Sequence, residues 1–355
     1  NTWRFYLGNI TLEYRDPLFG IILIVTLIFL ISFFTYYYSI YKERIARKDY
    51  RKLSLRFELG KLKEEDYVHL YKTYNLPFDS ILLLASSFLH KGDHNKAISV
   101  YLTLLEHVKD RVKKEELLEL LGTTYFKGGF LQRSKEIFLR ILKFSPRNKN
   151  ALLHLLLVNE KLKDFKKAKE ITLCLEELDK DMSVDKIYLD SLIILNDSVL
   201  SYEKRTELLY DIFKENKIIE RIFATFLIQF NKAFLWEHIS EFDCSKFIDV
   251  MWYMPLNDIN LEKAIENDFL AELYNAKGYL NNLKHSKNFD FDILILINQH
   301  EHKINATLDF EYICSSCKHS FPIFDTRCPH CHQILTFNVK HHLTKALFDT
   351  NQSLQ

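Results

Sequence analysis

The sequence predicts an all-α protein: one membrane-spanning helix, a stack of repeated helical hairpins, and a small C-terminal module held together by cysteines. Three observations predict it. Glycine (8) and proline (6) are scarce among 355 residues, although sheet-rich folds need both for tight turns. One uncharged stretch is long enough to cross a bilayer. Four of the six cysteines fall in a single short segment as two C-x-x-C pairs. The length suggests two or three structural units. The 48 Lys and Arg nearly balance the 47 Asp and Glu, so the chain lacks the cationic surplus that drives phosphate affinity, and no nucleic-acid partner is expected. No G-x-G-x-x-G, Walker A, G-x-S-x-G or H-E-x-x-H pattern occurs, and no enzyme activity is expected.

Residues 18–40 (LFGIILIVTLIFLISFFTYYYSI) hold 23 positions without a charge. As a helix they span about 34 Å, enough for a hydrocarbon core of about 30 Å. Tyr36, Tyr37, Tyr38 and Tyr41 crowd the C-terminal end, where amphipathic rings suit the lipid–water boundary. Lys42, Arg44, Arg47, Lys48, Arg51, Lys52 and Arg56 follow at once, whereas the other flank offers Arg4 and Arg15 beside Glu13 and Asp16. The positive-inside rule therefore puts residues 1–17 outside and everything after residue 40 in the cytoplasm. A cleaved signal peptide would be shorter, with a basic leader and a small-residue cleavage site. Residues 41–77 read as a basic juxtamembrane helical linker in contact with anionic lipid heads.

Residues 78–305 read as helical repeats. Leu84-Ala85, Phe88, Gly92, Ala97 and Tyr101 recur in spacing as Leu121-Gly122, Tyr125, Gly129, Ser134 and Phe138, with Pro146 closing the second unit. Leu155-Leu156, Asn159, Lys163, Ala168 and Thr172 give a poorer third copy. Ser134 and Ala168 lie 34 residues apart, the period of the tetratricopeptide repeat. The small residues let the two helices of a hairpin approach closely, and the large ones fill the space between neighbouring hairpins. Pro146 ends a helix because its ring cannot continue the backbone ladder. From residue 183 the signature decays while apolar residues keep helical spacing, and about three further hairpins are expected from the repeat length. Phe223, Phe226, Phe230, Phe234 and Trp236 read as packing between helices rather than a ligand groove. Residues 289–297 (FDFDILILI) fit either a strand or a last apolar helix.

The cysteine segment CSSCKHSFPIFDTRCPHC places Cys314, Cys317, Cys328 and Cys331 as C-x2-C-x10-C-x2-C. Each pair can form a knuckle, and two facing knuckles complete a tetrahedral four-sulfur shell. In a reducing compartment, metal ligation is favoured over disulfides. One structural metal is expected, with zinc preferred over iron for availability and the lack of a redox context. Four thiolates leave no open position for water, so the site is not catalytic. Lys318 and His332 stand where glycine often eases the turn, and His319, His330 and His332 read as surface residues beside the site. Cys174 and Cys244, alone in helical pattern, are expected to be buried.

The order of parts, together with YICSSC…RCPHC (residues 312–331), resembles the lipopolysaccharide assembly protein B family of Gram-negative bacteria. The resemblance implies a rubredoxin-like zinc module over residues 306–340, followed by a tail at 341–355, with Cys314, Cys317, Cys328 and Cys331 as the metal ligands. It implies a non-enzymatic scaffold anchored once in the inner membrane, with its N-terminal flank periplasmic and its repeats cytoplasmic. In that family the adaptor links lipopolysaccharide synthesis to a membrane-bound AAA protease that degrades the committed-step deacetylase. Its partners would be inner-membrane proteins: a protease, a biosynthetic enzyme or motor components. The alternative function is a chaperone or assembly scaffold for another inner-membrane machine, such as the flagellar motor stator.

Overall fold

The computed structural model describes residues 5–7, 10–12, 17–58, 78–300 and 305–345. Most of residues 1–17, residues 59–77 of the basic linker and residues 346–355 of the tail lie outside the described residues. Two compact units divide the chain, Asn1–Phe144 and Ser145–Gln355.

In the first unit, β1 (Phe5–Leu7) and β2 (Ile10–Leu12) form a small antiparallel pair with Tyr6 opposite Thr11. Helix α1 (Pro17–Glu58) then runs for 42 residues. Its Ile21–Tyr41 stretch is long and apolar enough to cross a membrane, and none of it is buried against protein. Phe29 and Tyr38 are 70% and 69% exposed, a waste of apolar surface in water but the natural state in lipid. Its two threonine hydroxyls are satisfied locally, as lipid requires: Thr26 Oγ1 donates to the Ile22 carbonyl at 2.6 Å and Thr35 Oγ1 to that of Ile31 at 2.8 Å.

Two helical hairpins follow: α2 (Phe78–His90) with α3 (His94–His107), and α4 (Arg111–Lys127) with α5 (Leu131–Phe144). Ala85 and Ala97 are fully buried, as the close approach of α2 and α3 requires. Gly122 is the tightest point. A Cβ there would lie 2.8 Å from Phe138 Cζ, while Ser134 Oγ donates to the Gly122 carbonyl at 2.8 Å. Glycine and serine thus interlock α4 with α5. Helix α5 stops at Phe144, two residues before Pro146.

The second unit opens with hairpins α6 (Lys149–Lys161) with α7 (Phe165–Glu176), and α8 (Ser183–Asn196) with α9 (Tyr202–Glu215). The turns of the first three repeats share one backbone. Gly92, Gly129 and Lys163 all have positive φ (78°, 78° and 61°). Each next N–H reaches back to the helix, Asp93 to Phe88, Phe130 to Tyr125 and Asp164 to Asn159, at 2.8 to 2.9 Å. This is the left-handed helix ending that glycine favours, and Lys163 adopts it with a side chain.

Beyond α9 the run of regular hairpins expected from the sequence gives way to short pieces: α10 (Glu220–Phe230), α11 (Lys232–Glu237), α12 (Ile248–Tyr253) and α13 (Leu261–Glu266), with 3-10 turns between them. Asparagine and aspartate side chains restart the chain each time. Asn231 accepts from Phe234 N, Asp243 from Ser245 N and Asn260 from Lys263 N, satisfying first-turn donors. An aromatic core holds the pieces together, with Phe213 stacked on Phe242 at 4.6 Å and tilted on Phe223 at 5.5 Å. Phe223, Phe226 and Trp236 are buried in it and Phe234 packs against it, whereas Phe230 is 43% exposed and stacks on Tyr202 at 4.7 Å.

Regularity returns at α14 (Asp268–Ala276) and α15 (Phe289–Gln299). Residues 289–297 are therefore helix, capped by Asn288, whose Oδ1 accepts from Asp290 N at 3.0 Å. Gly278 repeats the turn seen three times before, with φ 78° and Tyr279 N on the Tyr274 carbonyl at 2.9 Å. Leu270-Ala271, Tyr274 and Gly278 have the spacing of Leu121-Gly122, Tyr125 and Gly129, a fourth copy that sequence reading missed. Asn275 explains why no second helix follows at once. Its Oδ1 captures the N–H groups of Asn282 and Leu283, holding the chain in a loop until Asn288.

The chain ends in an antiparallel sheet of order β4-β3-β5, from β3 (Ala306–Cys314), β4 (Ser320–Phe321) and β5 (Phe337–Lys345). Alternate residues Leu308, Phe310, Tyr312 and Cys314 are buried, the period-2 signature of a half-buried strand. Leu308, Phe310 and Tyr312 join the same apolar core as α9–α15. Strand β5 pairs with β3 up to Lys345 opposite Ala306, five residues beyond the boundary expected at 340. The protein is thus a mostly helical, tetratricopeptide-type repeat chain with one apolar N-terminal helix and a cysteine module near its C-terminus.

Candidate metal centre

Strand β3 delivers Cys314 to the head of the first knuckle, and Arg327 precedes Cys328 at the head of the second. The two knuckles are backbone copies fourteen residues apart. Lys318 N donates to the Cys314 carbonyl and His332 N to the Cys328 carbonyl, both at 2.9 Å. Cys314 N reaches the His319 carbonyl at 3.0 Å, and Cys328 N reaches that of Gln333 at 2.9 Å. Lys318 and His332 have φ of 62° and 61°, the left-handed conformation glycine would adopt freely.

This arrangement turns all four thiols inward, with their Sγ atoms within 4.8 Å of one another. Cys314 and Cys331 Sγ are 3.6 Å apart, as are those of Cys317 and Cys328. A tetrahedral ion with bonds of about 2.3 Å to sulfur needs edges of about 3.8 Å, so the cluster fits one with only a slight adjustment. Cys314 and Cys328 are fully buried, while Cys317 and Cys331 are half-buried toward the surface. Burial alone would raise the Cys314 thiol, but the N–H groups of Cys317 and Ser316 and the Thr336 hydroxyl at 3.2 Å outweigh it and hold the thiol at about 6. Burial pushes Cys328 up to about 12. Four converging thiols become thiolates when a cation supplies the counter-charge. The four-cysteine cluster can hold a metal ion, and a shell of four sulfurs leaves no place on it for a reacting water.

Two buried ionic clusters fix the module to the helices of the same unit. Arg327 donates from Nε and Nη2 to Glu160 Oε2 of α6, at 2.9 and 2.7 Å. It also reaches Asp185 Oδ1 of α8 at 3.2 Å and the His332 carbonyl at 2.7 Å. Tyr188 OH completes this cluster against Thr326 Oγ1 at 2.9 Å, and burial pushes its phenol above the ordinary range. In the second cluster Arg221 of α10 pairs with Asp249 of α12 at 2.5 Å and lies 3.6 Å over the Phe324 ring. Tyr312 OH donates to Asp249 Oδ2 at 2.8 Å.

Arg327 is a buried structural ion. Glu160, Asp185, Arg221 and Asp249 escaped notice because their partners are distant in sequence. His154 packs edge-on to His332 at 6.4 Å, and His319 stacks on His330 at 3.7 Å. Cys244 is buried as expected. Cys174 is exposed, because it faces outward on α7 between the buried Ile171 and Leu175.

No protein-family model matches the chain, and no curated protein matches it. Among solved structures it is similar to the MamA RS-1 ArsTM double mutant, with 18% identity over 46% of this chain and 90% of that one, at a TM-score of 0.35. It is also similar to MamA 41-end from Desulfovibrio magneticus RS-1, with 18% identity over 46% of this chain and 85% of that one, at a TM-score of 0.33. The helical-repeat assignment stands on the hairpins and turns described above.

Proposed function

We propose that this protein is a non-enzymatic scaffold, tethered by α1 to the inner membrane of a bacterium, that binds and regulates the assembly or turnover of envelope proteins. The observation that carries the reading is the union of an unburied apolar helix with helical hairpins in one chain. Hairpin repeats present helix faces suited to grasping a segment of another protein. Tethering raises the effective concentration of such a surface toward other membrane proteins without any added contact. The basic residues after Tyr41 favour a cytoplasmic location for the repeats and a periplasmic one for the flank before the helix.

In this reading Cys314, Cys317, Cys328 and Cys331 bind one structural Zn2+, and the rubredoxin-like module spans 306–345. Zinc suits four converging thiolates and needs no redox partner. The specific role nearest to the domain order and the YICSSC…RCPHC segment is that of the lipopolysaccharide assembly protein B family: an adaptor between a membrane protease and a biosynthetic enzyme. Crosslinking in intact cells, followed by mass spectrometry of captured proteins, tests it. Recovery of an inner-membrane protease or an envelope biosynthetic enzyme supports the adaptor role. Capture of flagellar motor components instead would transfer the scaffold to that machine, and capture of no membrane protein would remove the function altogether.

A further inference from the structure

Beside the four-cysteine cluster lies a second set of ligand atoms that shares Cys317 with the first and adds two imidazoles. Cys317 Sγ and ring nitrogens of His319 and His330 all fall within 4.8 Å of one another. Both histidines are exposed, and Cys317 is one of the two cysteines that reach the surface. The rings stack at 3.7 Å with 21° between their planes, one from each knuckle.

The tautomer of His319 is set by its partner. Its Nδ1 lies 3.1 Å from the Cys317 carbonyl oxygen, which can only accept, so Nδ1 carries the hydrogen and Nε2 keeps its lone pair. A histidine that gives one N–H to a backbone carbonyl and offers the other nitrogen outward is the usual form of a metal-binding imidazole. The pseudo-symmetry of the knuckles supplies an internal comparison. Fourteen residues from His319 and His330 stand Gln333 and Ser316, so the edge around Cys331 has no equivalent imidazole pair.

We infer that Cys317, His319 and His330 form a second, exchangeable site for a borderline-soft transition ion such as Zn2+, with the Cys317 thiolate bridging it to the ion of the four-cysteine centre. This rests on that centre holding a metal, which keeps Cys317 deprotonated. To chelate at metal–nitrogen distances of about 2.0–2.1 Å the stacked rings must swing apart, which exposed side chains do freely. Three protein ligands leave a fourth position open, so the ion can take water or a side chain from a bound protein, unlike its closed neighbour.

The test uses the full-length chain in detergent, loaded with excess Zn2+, freed of unbound ion, and measured by emission spectroscopy before and after brief EDTA treatment. Two equivalents are expected, of which EDTA removes one. His319→Ala and His330→Ala should each keep the resistant equivalent and lose the labile one. Co2+ in the labile site should show a sulfur-to-cobalt charge-transfer band that both variants lack. A single equivalent in the wild type overturns the second site and leaves the four-cysteine centre standing. No bound zinc at all overturns both. A labile equivalent that survives both substitutions places the second ion elsewhere and also overturns the inference.

Discussion

Arg327 and Glu160 are 167 residues apart in sequence, yet the guanidinium makes two hydrogen bonds to one carboxylate oxygen, and both side chains are 8% exposed. The pair ties the residue before Cys328 to the last turn of α6. Each ion would be costly to bury alone, so its partner determines whether it can stay there. Removing Arg327 leaves the Glu160 carboxylate buried without its guanidinium. Arg327→Ala should destabilise the second unit by about 3–5 kcal/mol. Adding Glu160→Gln should recover part of that loss, because the stranded charge disappears. Chemical denaturation of the detergent-solubilised chain reads both, and equal stability of the single and double variants would contradict the account.

Gly122 predicts an effect opposite to helix propensity. Alanine in mid-helix is ordinarily better than glycine by about 1 kcal/mol. Here the added methyl would meet the ring of Phe138, which is fully buried and has nowhere to move. Gly122→Ala should therefore lower stability by about 1–3 kcal/mol. Pairing it with Phe138→Leu should restore part of the loss, and thermal melting of the wild type and both variants distinguishes the outcomes.

Lys163 predicts a gain. It holds φ of 61° where Gly92, Gly129 and Gly278 hold 78°. A left-handed residue with a Cβ costs about 1 kcal/mol relative to glycine, so Lys163→Gly should raise the melting temperature. Gly129→Ala, at the matching turn, should lower it. Its Cβ would touch nothing, which leaves the backbone as the sole cause.

Cys328→Ser should abolish metal binding and unfold the C-terminal module while α1 still inserts. Emission spectroscopy gives the metal content, and carbonate extraction of membranes gives the insertion. Equal zinc in wild type and variant would count against the four-sulfur centre.

His341 sets a pH dependence. Burial holds its pKa below the ordinary 6.5; nearby Asp290 opposes this and His342 adds to it. The unfolded chain thus takes up a proton at a higher pH than the folded one. The stabilisation is fully present above about 6.5 and declines as pH falls from there through the folded value. His341 stacks on Phe291 of α15 at 5.4 Å, so the loss should loosen β5 from that helix. His341→Gln should flatten the decline between pH 7.5 and 5.5, and melting curves of both proteins across that range decide it.

Sequence made the local features legible and hid the distant ones. The apolar stretch, the small residues at Ala85, Gly122 and Ser134 and the paired cysteines each declare themselves within a few positions. Lys318 and His332 could be recognised as misplaced glycines for the same reason. The fourth turn at Gly278 has its signature in Leu270-Ala271 and Tyr274, but no second helix follows at the usual distance, which hides the repeat. Helices of six residues such as α11, α12 and α13 are too short to show a period. The Arg327–Glu160 and Arg221–Asp249 pairs carry no spacing signal, because only the folded chain brings their members together.

Helix α1 leaves its apolar stretch at Tyr41 and continues to Glu58 without interruption. Those seventeen residues make a stiff lever of about 25 Å at 1.5 Å per residue. Membrane helices tilt to match the thickness around them. A tilt of about 10° therefore displaces the tip at Glu58 by roughly 4 Å, so a change in the surrounding lipid becomes a sideways movement at the far end of the rod.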